Sequence, residues 1–323
     1  MDHNNSLLSI IILSFESEKN LVSICQLVTQ KMQFENIVFE IVIIDDGSKD
    51  HSYEIAKKLS LSHNQIRAFQ LSKNFNSPSA MFAGLSVSKG ACAVVIPDDL
   101  QRPIDTVIFQ YRAWQNGAKI VIGYRSTRDD GKINDFFSSW YYSLMNHFSN
   151  IQFPPGGADG FLADREVIDI LVHQISHHNT SPIIEVLQLG YDPVFIPFDR
   201  PKSKSKSRWT FKKKWQLAMN TFFASSTFPI KMVTAIGLIL FILSIFMSFI
   251  IIFAKLFSDN TLFGLPVTGW ATIVIIIMFF NGMTMLSLGI IAEYIWRIFE
   301  EVKGRPPYII RKDHHHEDTV SRS

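Results

Sequence analysis

The sequence predicts an α/β domain built on a mostly parallel sheet, followed by a hairpin of two membrane-spanning helices. Three observations predict it. In the first third of the chain, short β-branched apolar runs alternate with helical patterns. Acidic clusters follow those runs directly. Toward the C-terminus lie two uncharged apolar runs, each long enough to cross a bilayer.

Residues 8–13, 40–44, 68–71, 93–96 and 120–122 are the five apolar runs, and 18–32, 52–59, 79–88 and 104–116 carry helical spacing between them. Strands apolar throughout, alternating with helices, imply parallel pairing with helices over both faces. In such sheets ligands bind beyond the carboxyl ends of the strands. Here those ends carry Ser14-Phe15-Glu16-Ser17-Glu18, then Asp45-Asp46-Gly47-Ser48-Lys49-Asp50, then Pro97-Asp98-Asp99-Leu100-Gln101-Arg102-Pro103. Carboxylates gathered at one sheet edge repel one another. A hard divalent cation with oxygen ligands is their natural partner, and Mg²⁺ typically bridges such groups to substrate phosphates. An Asp-Asp-Gly-Ser stretch alone reads equally well as a turn and helix cap. Two acidic clusters on successive strand ends favour a site.

At 323 residues the chain exceeds one average domain. Its mean hydropathy of +0.14 is unusual for a purely soluble enzyme, and the two C-terminal runs account for it. The net charge of +2 hides an asymmetry: between Asp199 and Trp215 stand eight Lys/Arg and one acid. Cys25 and Cys92 lie far apart without metal-site spacing, so they read as free, buried thiols in a reducing compartment. The apolar run at 6–13 is too short and β-branched for a signal peptide and lacks a basic lead and a cleavage site. The N-terminal domain is therefore expected on the cytoplasmic side.

Residues 232–254 and 267–292 contain no charge, and about 20 helical residues cross a hydrocarbon core. Each run opens just after a proline, Pro229 or Pro266. Lys202, Lys204, Lys206, Arg208 and Lys212 to Lys214 precede the pair, and Arg297, Lys303, Arg305, Arg311 and Lys312 follow it. Positive-inside logic places both flanks and both termini in the cytoplasm, making the protein a multi-pass protein of the cytoplasmic (inner) membrane. Residues 209–228 mix aromatic and basic residues and read as an amphipathic segment in the headgroup layer, or as a solvated charge run leading into the membrane. Residues 297–312 read as a similar surface segment, and His314 to His316 as part of a disordered tail rather than a metal tract. The division expected is 1–207 for the catalytic domain, 208–228 for the amphipathic segment, 229–295 for the two spans and 296–323 for the C-terminal segment and tail. Gly282, Ser287 and Gly289 suit helix packing in a homo-oligomer and equally a lipid-facing surface.

Seven stretches stand out in order along the chain: SIIILSFESEKNL (9–21), EIVIIDDGSKD (40–50), LSKNFNSPSAMFAGL (71–85), VVIPDDLQRP (94–103), GYRSTR (123–128), GGADGFLADR (156–165) and KSRWTF (206–211). On these the chain resembles family 2 glycosyltransferases of the GT-A fold, in particular dolichyl-phosphate mannose synthases and bacterial polyprenyl-phosphate glycosyltransferases. The order of the stretches, their spacing and their position ahead of a two-helix anchor carry the likeness.

The resemblance implies a nucleotide site at Phe15, Asp45, Asp46, Lys73 and Asp98, with Asp45 contacting the base. It implies a Mg²⁺ or Mn²⁺ ion on Asp99 and Gln101, with Asp98 assisting. Asp159 matches a residue often assigned as catalytic base, with Asp99 its catalytic companion at the metal. Arg125 and Arg128 match residues that hold an acceptor lipid phosphate, and Arg208, close to the membrane segment, is expected to add to that cationic capture. The chain departs from the family pattern at Pro97, where an acid is usual, at Phe161, where an arginine is usual, and at Asn76-Ser77, where Gly-Lys is usual. Leu13 and Glu16-Ser17 replace a proline and an Asn-Glu pair.

The activity so implied is inverting transfer of a hexose from a nucleotide-sugar donor to polyprenyl (undecaprenyl) phosphate at the cytoplasmic membrane face, feeding a cell-envelope polysaccharide. No nucleic acid partner is expected. The competing readings are a transferase acting on a lipid-linked oligosaccharide and a non-catalytic nucleotide-binding scaffold. A processive synthase is disfavoured, because Arg208-Trp209 lacks the expected upstream glutamine and only two spans exist.

Overall fold

The computed structural model describes residues 6–99, 102–125, 154, 157–177, 180–199, ten positions between 233 and 249, 261–262, 265–266 and 270–311. They fall into two compact units, Met1–Ala224 with Arg305–Ser323, and Ser225–Gly304.

The first unit is a seven-stranded sheet. Its strands are β1 (Leu8–Ser14), β2 (Phe39–Asp45), β3 (Ile66–Gln70), β4 (Cys92–Pro97), β5 (Ile120–Arg125), β6 (Ala158–Asp164) and β7 (Val194–Phe198), in the order β3-β2-β1-β4-β6-β5-β7. The helices α1 (Leu21–Phe34), α2 (Ser52–Ser62), α3 (Ser77–Val87), α4 (Ile104–Gln115), α5 (Arg165–His173) and α6 (Pro182–Gln188) cover it. The five apolar runs read from the sequence lie in β1 to β5, except for Leu71, which follows the end of β3. Buried Ile10, Ile12, Ile41 and Ile43 belong to one core cluster, while Ile11, Val42 and Ile44 belong to a second. Alternate residues of one strand thus serve opposite faces, which is why the runs are apolar without interruption. On α1, Leu21, Ile24, Cys25, Val28 and Met32 are buried at helical spacing. Both cysteines are free and buried, and burial pushes the Cys25 thiol up to about 12, so neither is a ready nucleophile.

β1, β2, β3 and β4 pair in parallel, as does β7 with β5. β6 runs antiparallel between β4 and β5 and was not legible in the sequence. Only Phe161 to Ala163 supply it with consecutive buried apolar residues, and Gly160 interrupts the pattern. The insertion has a consequence for function. An antiparallel strand starts where its neighbours end, so the beginning of β6 joins the carboxyl edge of the sheet.

In the second unit every described residue between 233 and 249 is helical. A two-strand hairpin follows, β8 (Thr261–Leu262) with β9 (Leu265–Pro266), and then α7 (Trp270–Val302), 33 residues long. Taken over the described side chains alone, no helix is long and apolar enough to cross a membrane. Large apolar side chains are nevertheless exposed along both helical segments, among them Leu238, Ile242, Phe246, Ile277, Phe279 and Leu288. A Cβ placed on Gly282 or Gly289 would meet nothing within 4 Å. The helix ends with Gly304 at φ +58, whose N–H returns to Glu301 O. The surface segment expected over 297–312 is in fact divided: its first part completes α7, and Tyr308 to Arg311 lie against the sheet of the first unit.

Candidate active site

Parallel register brings the acidic loops together. Ser14 pairs with Asp45, Leu13 with Pro97 and Asp45 with Gln70, so the ends of β1 to β4 share one edge. Asp45 is fully buried at the end of β2. Its Oδ2 accepts from Ser48 N–H at 3.1 Å and from Gln70 Nε2 at 3.0 Å. Its Oδ1 is buried without a partner among the described residues. Asp46 turns the other way, and its Oδ1 accepts from Phe75 N–H at 2.7 Å. Burial pushes the Asp46 carboxyl up to about 6 against the N–H groups of Phe75 and Asn76, with the Asp45 charge adding to the rise.

Gly47 lets this loop meet the one after β3. It sits at φ +69, and a Cβ there would lie 2.5 Å from the Lys73 carbonyl carbon. Only glycine fits both constraints. Lys73 is exposed beside this loop, its ammonium 4.9 Å from the centre of the Phe75 ring.

The three residues at the end of β4 separate. Pro97 is exposed and Asp99 is exposed, while Asp98 is buried between them. Asp98 Oδ2 accepts from the Ser17 hydroxyl and from Phe15 N–H. Asp98 therefore pins the loop after β1 that carries Phe15, and Asp99 is the exposed acid beside it at the rim. Among the described residues no group of three His, Cys, Asp or Glu could hold a metal by itself. One rim carboxylate does suit an ion shared with a diphosphate, because Mg²⁺-type sites commonly use one or two carboxylates plus phosphate oxygens and water.

At the start of β6, Asp159 meets the end of β5. Arg125 Nε donates to Asp159 Oδ2 at 2.7 Å, with the side chains 21% and 37% exposed respectively. The two residues expected to serve acceptor phosphate and base are thus one ion pair. Arg102 lies beneath them, 5% exposed. It donates to Val95 O and Gln110 Oε1 and stacks under Phe198. Burial lowers its pKa to about 10, with the Asp159 charge opposing, so it stays cationic at neutral pH. Gly160, at φ +84, leaves the space that the Arg102 guanidinium occupies. Phe161, where the family pattern has arginine, is buried in the core.

The sequence did not single out Gln70, Ser48, Ser17, Arg102 or Arg311 for the site. Ser17 and Ser48 lie within quoted motifs, but nothing in the pattern of Arg311, 241 positions from Gln70, marks it as a partner. Gln101, Arg128 and Arg208, together with the amphipathic segment at 209–228, lie outside the described residues.

A mostly parallel sheet whose carboxyl edge gathers these acids, with an antiparallel strand adding an Asp–Arg pair, is the architecture of a glycosyltransferase of the GT-A type. Residues 9–171 match glycosyl transferase family 2, and the chain belongs to that family. An uncharacterised glycosyltransferase of Synechocystis is 30% identical over 306 residues, covering 94% of each chain. A prophage-derived bactoprenol glucosyl transferase of Shigella flexneri is 30% identical over 309 residues, covering 95% of this chain and 98% of its own. Among solved structures, mannosyl-3-phosphoglycerate synthase from Rubrobacter xylanophilus superimposes with a TM-score of 0.50 at 17% identity, over 68% of this chain and 72% of that one. That likeness shows the shared GT-A fold.

Proposed function

We propose that the protein transfers a hexose from a nucleotide-sugar donor to a polyprenyl phosphate, with inversion at the anomeric carbon, at the cytoplasmic face of the membrane that anchors it. The observation that carries the reading is the Arg125–Asp159 pair at the same sheet edge as Asp45 and Asp99. It sets a cation for an anionic acceptor beside groups suited to a nucleotide diphosphate. The relatives named for bactoprenol glucosyl transfer, similar along nearly their whole length, support the acceptor class.

Asp45 meets the base, Phe15 and Lys73 flank the nucleotide, and Asp98 holds the Phe15 loop in place. Asp99, with Gln101, would hold a divalent ion such as Mg²⁺ or Mn²⁺, whose Lewis acidity stabilises the charge of the departing diphosphate. An acceptor phosphate oxygen attacks the anomeric carbon as the bond to the diphosphate breaks, and the nucleoside diphosphate leaves with the electron pair. A phosphate monoester has a second pKa of about 6, so the attacking oxygen is already anionic at neutral pH. Base catalysis is then dispensable. Arg125 captures the phosphate, with Arg128 and Arg208 supplying further charge, and Asp159 orients Arg125 until the acceptor arrives.

The exposed apolar faces of both helical segments support two membrane spans, since water-exposed helices rarely carry such contiguous surface. Basic flanks on both sides support cytoplasmic termini. Purified protein with Mg²⁺ or Mn²⁺, radiolabelled nucleotide sugar and undecaprenyl phosphate is expected to give an organic-extractable product of one sugar per lipid. Asp99→Ala or chelation with EDTA should abolish it. Full activity in Asp99→Ala would remove the metal assignment, and a ladder of longer products would remove the single-transfer reading.

A further inference from the structure

Beside β3 the end of the described chain joins the sheet through a single antiparallel bridge. Leu71 faces Ile310 in a bridge, Ser72 N–H donates to Ile309 O at 2.8 Å, and Arg311 N–H donates to Gln70 O at 2.8 Å. Tyr308 and Ile310 pack on the hydrophobic cluster that includes α3. The His177 ring lies 4.0 Å from Phe82 and 6.1 Å from Tyr308, stacked on each. Backbone pairing, apolar packing and ring stacking all hold this segment down.

From that segment the Arg311 side chain reaches Gln70. Its Nη1 donates to Gln70 Oε1 at 3.0 Å, and its Nη2 donates to Ser72 O at 3.4 Å. Arginine can only donate, so the contact fixes the carboxamide with its oxygen toward Arg311 and its nitrogen toward Asp45. Gln70 Nε2 and Ser48 N–H then both donate to Asp45 Oδ2, leaving Oδ1 as the acceptor without a partner among the described residues. A buried carboxylate oxygen in that state is costly until a ligand donor reaches it. Asp45 is fully covered, so a base reaches Oδ1 by displacing the side chains over it.

We infer that Gln70 and Arg311 are positioning residues that set the base preference of the donor site by reserving one oxygen of Asp45 for a single N–H. A uracil-type imide offers one N–H to one acceptor. Guanine offers two parallel N–H groups, and pairing both with Asp45 would require Oδ2, which Gln70 and Ser48 already occupy. The inference rests on Asp45 being the base contact of the proposed donor site.

The test uses the full chain in detergent with Mg²⁺, and measures UDP and GDP binding by calorimetry alongside donor KM and kcat. Asp45→Ala should lose UDP binding. Gln70→Ala and Arg311→Ala should weaken UDP roughly 3- to 30-fold, the effect of one lost hydrogen bond, while changing GDP far less. The ratio of UDP to GDP affinity then shrinks, and kcat at saturating donor stays within about twofold, as expected when only uniform binding is lost. Arg311→Lys should restore part of the ratio. Equal weakening of both nucleotides, or no change in either, overturns the inference while Asp45→Ala still abolishes binding. UDP binding that survives Asp45→Ala instead overturns the donor-site reading. Should Arg311→Ala fail to fold, Gln70→Ala decides the matter, because its contact with Asp45 lies within β2 and β3.

Discussion

Asp159→Asn separates two roles for one carboxylate. Asp159 accepts a 2.7 Å hydrogen bond from Arg125. The amide keeps the shape and accepts the same N–H, but removes the charge. A charge-assisted hydrogen bond contributes about 1.5–3 kcal/mol and a neutral one about 1 kcal/mol. Both side chains are partly exposed, at 21% and 37%, so solvent screening puts the difference toward the lower end. If Asp159 only orients Arg125, the loss is about 0.5–1 kcal/mol, or roughly 2- to 5-fold in kcat/KM for the acceptor. A general base would cost about 10²- to 10⁴-fold. The assay is transfer of radiolabelled sugar to undecaprenyl phosphate, with acceptor concentration varied from pH 6 to 8. The expected result is a raised acceptor KM and a pH profile that follows the phosphate. A loss beyond about a thousandfold in kcat at saturating acceptor would refute the positioning role and restore the base.

Three further outcomes follow from the geometry. Asp46 holds its proton in the folded chain up to about pH 6, whereas the ordinary value is 3.8. The folded state therefore binds more protons between these values, and stability should fall as pH rises through that window, by at most about 3 kcal/mol. Thermal unfolding should show this slope in the wild type and lose it in Asp46→Asn. Gly47→Ala forces a Cβ toward the Lys73 backbone at a positive φ, and should cost about 1–3 kcal/mol with a raised donor KM. A thermal shift and KM equal to wild type would contradict the loop contact. Away from the site, Glu40 accepts from Ser9, Lys89 N–H and Arg67. Burial raises its pKa, but these partners outweigh burial and hold it below the ordinary 4.5, so its contribution is present above that pH and is lost as pH falls below it. Glu40→Ala should destabilise by about 2–4 kcal/mol, somewhat less than for a fully buried pair because Arg67 is 25% exposed. Denaturant unfolding should show this with donor KM unchanged.

The membrane expectations have a direct readout of their own. Protease and cysteine-labelling maps of oriented vesicles should place both ends of 232–292 on the same side, and opposite placement would remove the hairpin.

What the sequence by itself determined is the half of the molecule governed by local chemistry. Uninterrupted β-branched runs such as 8–13 and 40–44 can be buried on both faces only inside a covered sheet, so β1 to β5 and the helices between them were legible. The acidic ends of β2 and β4 were legible for the same reason, since parallel strands place every carboxyl end on one edge. The tertiary structure alone decided what each acid does there. Asp98 and Asp99 are adjacent in sequence, yet one is buried against Ser17 and the other is exposed, because both lie in the turn after β4, where the path of the loop and not strand alternation sets each side chain's direction. The antiparallel insertion of β6, which joins Asp159 to Arg125, and the return of Arg311 to Gln70 are likewise absent from any local pattern. Pairings across 34 and 241 residues depend on which sheet edge remains open after the local elements have formed, and residue spacing does not encode that.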